Sequence, residues 1–271
     1  MKTVELFDSA NVRVIDSTSN KPIRCKTEDG LFYTKFRDAC LSFPDGTGQL
    51  RALVNEFIAA EIAVLMDLPV PEAAIVHCST PFSVMIDGEP VHISPSYNFG
   101  SKAIDSPVVL SLQTVEQLRN IDNPDDALPI MLFDAILHNV DRDGNSGNTL
   151  VGGGKPSHLF IIDHGRLFGA SEVWNRYSLP NDQFGQIALD PMESNGIYAK
   201  LMEAFDLKSQ VDGARAKVSR VTEEKLASII SSVPHEWGLS KEDADALLVY
   251  LTKRFGNSEE YIRLILKGGA R

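Results

Sequence analysis

Leu132-Phe-Asp-Ala-Ile-Leu-His-Asn-Val-Asp-Arg-Asp-Gly-Asn-Ser-Gly-Asn-Thr-Leu-Val151, continued a little further on by Leu159-Phe-Ile-Ile-Asp-His-Gly165, is the stretch on which the fold turns. Ile130, Phe133, Ile136 and Leu137 recur at helical spacing, so an amphipathic helix runs into a polar loop from Asn139 to Asn148. A short apolar strand, a Gly-rich turn and a second apolar strand ending at Asp163 follow. Two carboxylates, Asp141 and Asp163, thus stand at the ends of rigid elements, with amide side chains between them in sequence. Phosphoryl transfer uses such a kit: one carboxylate orients the attacking hydroxyl, and an Asn with a second Asp holds Mg²⁺ on the nucleotide phosphates. The plainer alternative is a hairpin whose Asp, Asn and Gly residues only build turns. Against it, Asp163 directly follows four apolar residues, Leu159 to Ile162. A charge at the end of a buried strand is costly unless it is paired or on a metal.

The segment also resembles the catalytic core of the HipA-like kinases. These are a branch of the protein-kinase-like superfamily, related in their Asp-Arg loop to phosphatidylinositol 3-/4-kinases. Asn139-Val-Asp-Arg142, Asn148-Thr-Leu-Val151 and Ile162-Asp-His-Gly165 match that family's Asn-x-Asp-Arg, Asn-Leu-Leu and Ile-Asp-His-Gly. The resemblance implies that Asp141 is the catalytic-loop aspartate and Asp163 the metal aspartate. Arg142 would neutralise or position the loop, or serve as a buried salt-bridge partner. The usual kinase loop places its metal Asn where this chain has Ser146, with Asn145 and Asn148 flanking it. Asn148 is preferred because it leads straight into the strand; Asn145 stays open as the alternative.

Upstream, residues 1–37 read as strands: Val12–Ile15, then Pro22–Thr27 and Leu31–Phe36 joined by a Glu28-Asp29-Gly30 turn. Lys35 lies in the last of these, and the resemblance implies that it binds the α/β-phosphates. Without that resemblance it would be an ordinary exposed strand lysine. Asp16–Lys21 is a polar turn without a G-x-G-x-x-G pattern, yet the hydroxyls of Ser17, Thr18 and Ser19 with turn amides could make an anion nest over phosphates. A loop, Phe43–Gly48, precedes a helix over Gln49–Asp67 with an apolar stripe of Leu50, Leu53, Val54, Phe57, Ile58, Ile62 and Leu65. Periodicity points Glu61 into the middle of that face and Glu56 off its edge. The family's Asn-Glu pair instead nominates Glu56 as the partner of Lys35, and an edge position would let it reach across a cleft. Prolines at Pro69 and Pro71 end the helix and open a strand to Val76. Ser83–Ile86 and Pro90–Ile93 are candidates for the strand and hinge that hold adenine, and Ser94–Lys102 reads as a loop at the lobe boundary.

Beyond it the chain turns helical, at Thr114–Arg119 and Asp125–His138, and then irregular over 166–195, where a kinase activation segment would lie. Helices follow near Thr222–Val233, Lys241–Phe255 and Ser258–Leu266, with a capping box at Ser240–Asp243. They are expected to pack the larger lobe without carrying chemistry. The fold expected is α+β and bilobal, like a protein kinase: a small β-rich N-lobe with one long helix over residues 1–100, and a mainly helical C-lobe over 101–271. The family motifs span roughly residues 10–170.

A chain of 271 residues suits one bilobal unit. With 43% hydrophobic and 23% charged residues it reads as a soluble globular protein. A net charge of −11 argues against a general nucleic-acid surface. No apolar run reaches the length of about 18 residues that a membrane span needs, and the N-terminus lacks a signal peptide's apolar core. Cys25, Cys40 and Cys78 are odd in number and lack metal spacing, which suggests free thiols in a reducing cytoplasm. The histidines show no H-E-x-x-H, and neither a P-loop nor a G-x-S-x-G is present, so zinc hydrolases, P-loop NTPases and α/β-hydrolases have no anchor. The resemblance implies an ATP- and Mg²⁺-dependent kinase that transfers the γ-phosphate to a Ser or Thr hydroxyl of a protein, with autophosphorylation and an antitoxin-like partner in a growth-control setting. Two alternatives stand beside it. One is a small-molecule or lipid-headgroup kinase, from the shared Asp-Arg loop; the other is a pseudokinase or nucleotide-binding interaction module, from the shifted Asn and the missing Gly-rich loop.

Overall fold

Strict alternation shapes the first part of the chain. In β2 (Ile23–Thr27) the residues Ile23, Cys25 and Thr27 are buried, and in β4 (Ala73–Cys78) so are Ala74, Val76 and Cys78, as a strand with one face inward requires. These two belong to a ring with β1 (Lys2–Val14), β3 (Gly30–Lys35) and β7 (Ser96–Lys102). β1 pairs antiparallel with β2, β2 with β3, β3 with β7 and β7 with β4, and a parallel β4–β1 pairing closes the ring. The computed structural model describes residues 1–14, 22–41, 46–169, 173–179 and 196–268.

Two sequence expectations fail here. Ser94–Lys102, read as a loop, contains β7, a strand flanked by β3 and β4. Its turn-like residues serve the strand. Asn98 is fully buried, donates to the Val76 carbonyl at 3.1 Å and accepts from the Arg37 backbone N–H at 2.8 Å. Gly100 supplies clearance, since a Cβ there would lie 2.5 Å from Val76 Cγ2 and 3.2 Å from the Phe32 ring. The hairpin of β5 (Phe82–Ile86) and β6 (Glu89–Ile93), read as strand and hinge for adenine, is instead a separate two-stranded sheet. Val84, Ile86 and Ile93 seal a small cluster with Phe36 and Cys78, away from the cleft.

A short helix, α1 (Arg37–Leu41), precedes the long α2 (Gly46–Leu65), which starts within the expected loop. From Ala52 to Ala60 every residue of α2 is buried, so there is no single apolar stripe. A helix buried on all sides is one held between two bodies: α2 meets β7 on one side and the C-terminal helices on the other. Glu61 is half-buried and pairs with the Met1 amino group at 3.1 Å.

The remainder comprises β8 (Val108–Val109), α3 (Val115–Leu118), α4 (Ala127–Leu137), β9 (Thr149–Gly152), β10 (His158–Ile161), α5 (Ile197–Ala204), α6 (Val211–Val218), α7 (Glu223–Ser231), α8 (Lys241–Gly256) and α9 (Ser258–Gly268). β9 and β10 form the expected hairpin, to which β8 adds a third strand. Every residue of α4 is buried. One core runs from α2 through α4 to the C-terminal helices, so both parts of the chain share it. All three cysteines are free and buried, and among the described residues no helix is long and apolar enough to cross a membrane.

Candidate active site

α4 delivers the polar loop. Its last turn carries Asp134, fully buried, and it stops at His138, which adopts a left-handed backbone with φ 52°. A buried carboxylate must be neutralised. Asp134 accepts from the Arg142 guanidinium at 2.6 Å, from the Asn139 amide at 2.8 Å and from the Tyr198 hydroxyl of α5 at 2.8 Å. Arg142 is also fully buried and donates to the carbonyls of Asn148 at 2.5 Å and Ile162 at 3.0 Å. Burial is the largest influence and opposes its charge, but Asp134, Tyr198 and Asp163 together outweigh it and raise the guanidinium above its ordinary value. Arg142 therefore pins the loop to the ends of both strands of the β9–β10 hairpin and stands behind the cleft, as the buried ion-pair partner. Burial, reinforced by Asp134, pushes the Tyr198 hydroxyl well above its usual pKa.

This brace aims Asp141. Its backbone N–H donates to Asn139 Oδ1 at 3.1 Å, and its carboxylate accepts from Asn148 Nδ2 at 2.8 Å, Asn145 Nδ2 at 3.3 Å and Arg166 Nη1 at 3.5 Å. The residue next in the loop but one is fixed as well: Asp143 accepts from the Tyr198 N–H at 2.8 Å at the start of α5. Gly196 is needed at that contact, because a Cβ would lie 2.2 Å from Asp143 Oδ1.

Opposite the loop, Lys35 leaves the end of β3 and is nearly buried. Its ammonium reaches Glu56 of α2 at 2.5 Å and Asp163 at 2.7 Å. Burial disfavours the charge on Lys35, but Asp163 and then Glu56 outweigh it and raise its pKa. Burial would likewise raise Glu56, yet Lys35 and His164 hold it below the usual carboxylate range. Asp163 has φ 55°, a left-handed conformation uncommon outside glycine, which turns the chain sharply where β10 ends. His164 packs edge-on to Phe133 at 5.6 Å, with Nδ1 3.7 Å from Glu56 and a buried Nε2 that has no hydrogen-bond partner.

Between these walls lies a cavity of about 650 Å³. Lys35, Glu56, Asp141, Asn145, Asn148 and Asp163 line its polar end; Val70, Phe99, Ile104, Leu150 and Ile161 line its apolar side. The structure thus brings together every expected site residue except two groups. Arg142 lies behind the loop, and Ser17, Thr18 and Ser19 fall outside the described residues. The apolar wall comes from Val70 before β4, Phe99 of β7, Ile104 just after it, and Leu150 and Ile161 of the β9–β10 hairpin, not from β5 or β6. Available donors are carboxylate and amide oxygens, which suit a hard cation such as Mg²⁺ completed by phosphate oxygens rather than zinc. Among the described residues no group of three or more His, Cys, Asp or Glu could hold a metal by itself.

Several side chains escaped the sequence reading. Asp134 had a signal, a lone charge inside an apolar helical run. Asn55 entered only as the neighbour of Glu56 in the family's Asn-Glu pair, and Tyr198 and Trp174 had no signal in spacing. Nor did Arg254 of α8, which donates to the carbonyls of Ala135 at 2.6 Å and Ile136 at 2.5 Å and so braces the end of α4.

A family model described as HipA-like kinase matches residues 11–257, well past the point near residue 170 where the recognised motifs end. Among solved structures, the chain is similar to the crystal structure of a Helicobacter pylori proinflammatory kinase, CtkA. The identity is 14%, 98% of each chain is covered and the TM-score is 0.56, a likeness of fold. No curated protein matches.

Proposed function

The chain belongs to the HipA-like kinases, and from that premise we propose that it transfers the γ-phosphate of ATP to a Ser or Thr hydroxyl of a protein. The observation that carries this reading is Lys35, which joins Glu56 at 2.5 Å and Asp163 at 2.7 Å at the polar end of the cleft. An ammonium held between two carboxylates stays charged and fixed, ready for phosphate oxygens. Asp163 and Asn148 would hold Mg²⁺, which would supply neutralisation of the charge building on the transferred phosphoryl group. Asp141 accepts the proton of the attacking hydroxyl, and Arg142 positions it from behind. Residues 1–100 act as the nucleotide-binding lobe and 101–271 as the catalytic lobe, with the adenine against Val70, Phe99 and Leu150. Autophosphorylation and control by an antitoxin-like partner protein belong to the same reading.

The Asn148 amide, 2.8 Å from Asp141, supports an active kinase over a pseudokinase, since the shifted Asn still reaches the catalytic aspartate. Incubation with γ-labelled ATP and Mg²⁺ tests the proposal. Label should appear in protein and vanish in Asp141→Ala and Asp163→Ala. Label in a metabolite or lipid fraction would refute the protein acceptor. Nucleotide binding without turnover, unchanged by Asp141→Ala, would refute the kinase.

A further inference from the structure

Asn55, beside Glu56 on α2, is fully buried, and both ends of its amide are used. Nδ2 donates to the Gly165 carbonyl at 2.7 Å, and Oδ1 accepts from the indole N–H of Trp174 at 2.7 Å. Gly165 lies just beyond Asp163, so one helical turn grips the metal-side aspartate twice: through Glu56 and Lys35 at its side chain, and through Asn55 at the backbone that follows. Trp174 is itself tightly placed. The Arg51 guanidinium lies 4.7 Å from its ring centre, and Phe168 meets it edge-on at 5.5 Å. Arg51 in turn pairs with Asp243 at the start of α8 at 2.5 Å, and Asp243 accepts from the Arg176 N–H at 2.9 Å. The segment carrying Trp174 is therefore latched to α2 and α8 together.

We propose that Asn55 is a positioning residue: it sets the turn after Asp163 against α2, and holds it there only while the Trp174 indole orients its amide. A buried amide satisfied at both ends has one orientation. Without the indole donor, Oδ1 would be buried and unpaired, and rotation of the amide to relieve it breaks the Gly165 bond. Position 174 thereby gains a say in where Asp163 stands, though Trp174 touches neither Asp163 nor the cleft. The catalytic consequence rests on the kinase reading above; the mechanical one does not.

Two variants separate the arms. Asn55→Asp keeps an acceptor for Trp174 and loses the donor to Gly165. Trp174→Phe keeps the ring between Arg51 and Phe168 and loses the N–H. In label-transfer assays each should raise the half-saturating Mg²⁺ concentration, by about five- to tenfold for Asn55→Asp. The double variant should be no worse than the more damaged single one, because both act through one bond. A fall in Tm with unchanged Mg²⁺ dependence, or additive effects in the double variant, would overturn the proposal. Hydrogen exchange of the free protein gives the second measurement. The Phe168 amide, bonded to the Leu137 carbonyl at 2.9 Å, should exchange faster in Asn55→Asp while the β9–β10 amides keep their rates. Unchanged exchange at Phe168 would overturn the latch even in an active enzyme. Lack of turnover in the wild type would refute the kinase reading alone, and exchange would still decide the latch.

Discussion

Replacing Asn148 by Ala should cut metal-dependent turnover at least tenfold, and replacing Asn145 should cost clearly less. Loop length favours neither cleanly, because Ser146 occupies the usual position, but the surroundings of the two amides differ. Asn148 is 4% exposed, and its carbonyl is held by Arg142 at 2.5 Å and by the Ile162 N–H at 3.1 Å, so the strand register fixes it beside Asp163. Its Nδ2 goes to Asp141 at 2.8 Å, which leaves Oδ1 as the atom for a cation. Asn145 is exposed and spends Oδ1 on the Gly147 N–H at 3.2 Å, as the cap of a short 3-10 turn. Truncating Asn148 thus removes the proposed metal oxygen and a bond to the Asp141 carboxylate, and the tenfold loss corresponds to about 1.4 kcal/mol of transition-state stabilisation. Truncating Asn145 removes a cap and the longer 3.3 Å contact to Asp141, which is worth about two- to fivefold. Initial rates of label transfer across a Mg²⁺ titration decide the matter. Greater damage in Asn145→Ala, rescued by high Mg²⁺, would refute the register argument.

Asp163→Asn should abolish Mg²⁺-dependent turnover while circular dichroism and Tm stay near wild type; full activity in that variant would remove Asp163 from the metal. Arg142→Met leaves the buried Asp134 carboxylate without its ion-pair partner, so urea denaturation should show a loss of about 3–5 kcal/mol, and an unmoved midpoint would mean the pair is dispensable. Glu56 sits below its ordinary pKa of 4.5 in the folded chain, so its contribution to stability is full above that value and is lost as pH falls toward the folded one. The stability gap between wild type and Glu56→Gln should accordingly narrow below about pH 4.5 and stay level from pH 6 to 9. Lys35, shifted upward, keeps its contribution throughout that neutral range and loses it only in strong alkali. A gap that widens on acidification would contradict the pairing.

What the sequence could and could not show follows from how far apart the deciding contacts lie. The β2–β3 hairpin and the run from α4 through the loop to β10 are local, and turn chemistry with apolar periodicity located them within a few residues. β7 was lost because Asn98 and Gly100 look like turn residues, and only their non-local neighbours, Val76, Phe32 and Arg37, turn them into strand requirements. Glu56 and Glu61 show the limit of periodicity itself. The 100° rule assumes one wet face, and α2 has none from Ala52 to Ala60, so the angle of Glu56 from an apolar stripe says nothing about its burial. The Lys35–Asp163 contact joins residues 128 apart, which no spacing rule reaches; only the family resemblance placed them together.

A motif-free signal was present nonetheless, and it lies in where the fold hides its polar groups. Lys35, Asn55, Glu56, Asp134, Asn139, Arg142, Asn148 and His164 are all buried. They gather where α2, the end of α4 and the β9–β10 hairpin converge. Each such group costs several kcal/mol in an apolar interior unless fully paired. Nor does the junction achieve full pairing, since Arg142 Nη2 and His164 Nε2 stay without partners. A stable core would exchange such a network for hydrocarbon, as α4 does over its remaining length. Polar groups at this density are retained where they hold something exact in place. Here that is the mutual position of Lys35, Asp141 and Asp163, and the C-terminal helices, through Tyr198 and Arg254, are part of what holds it.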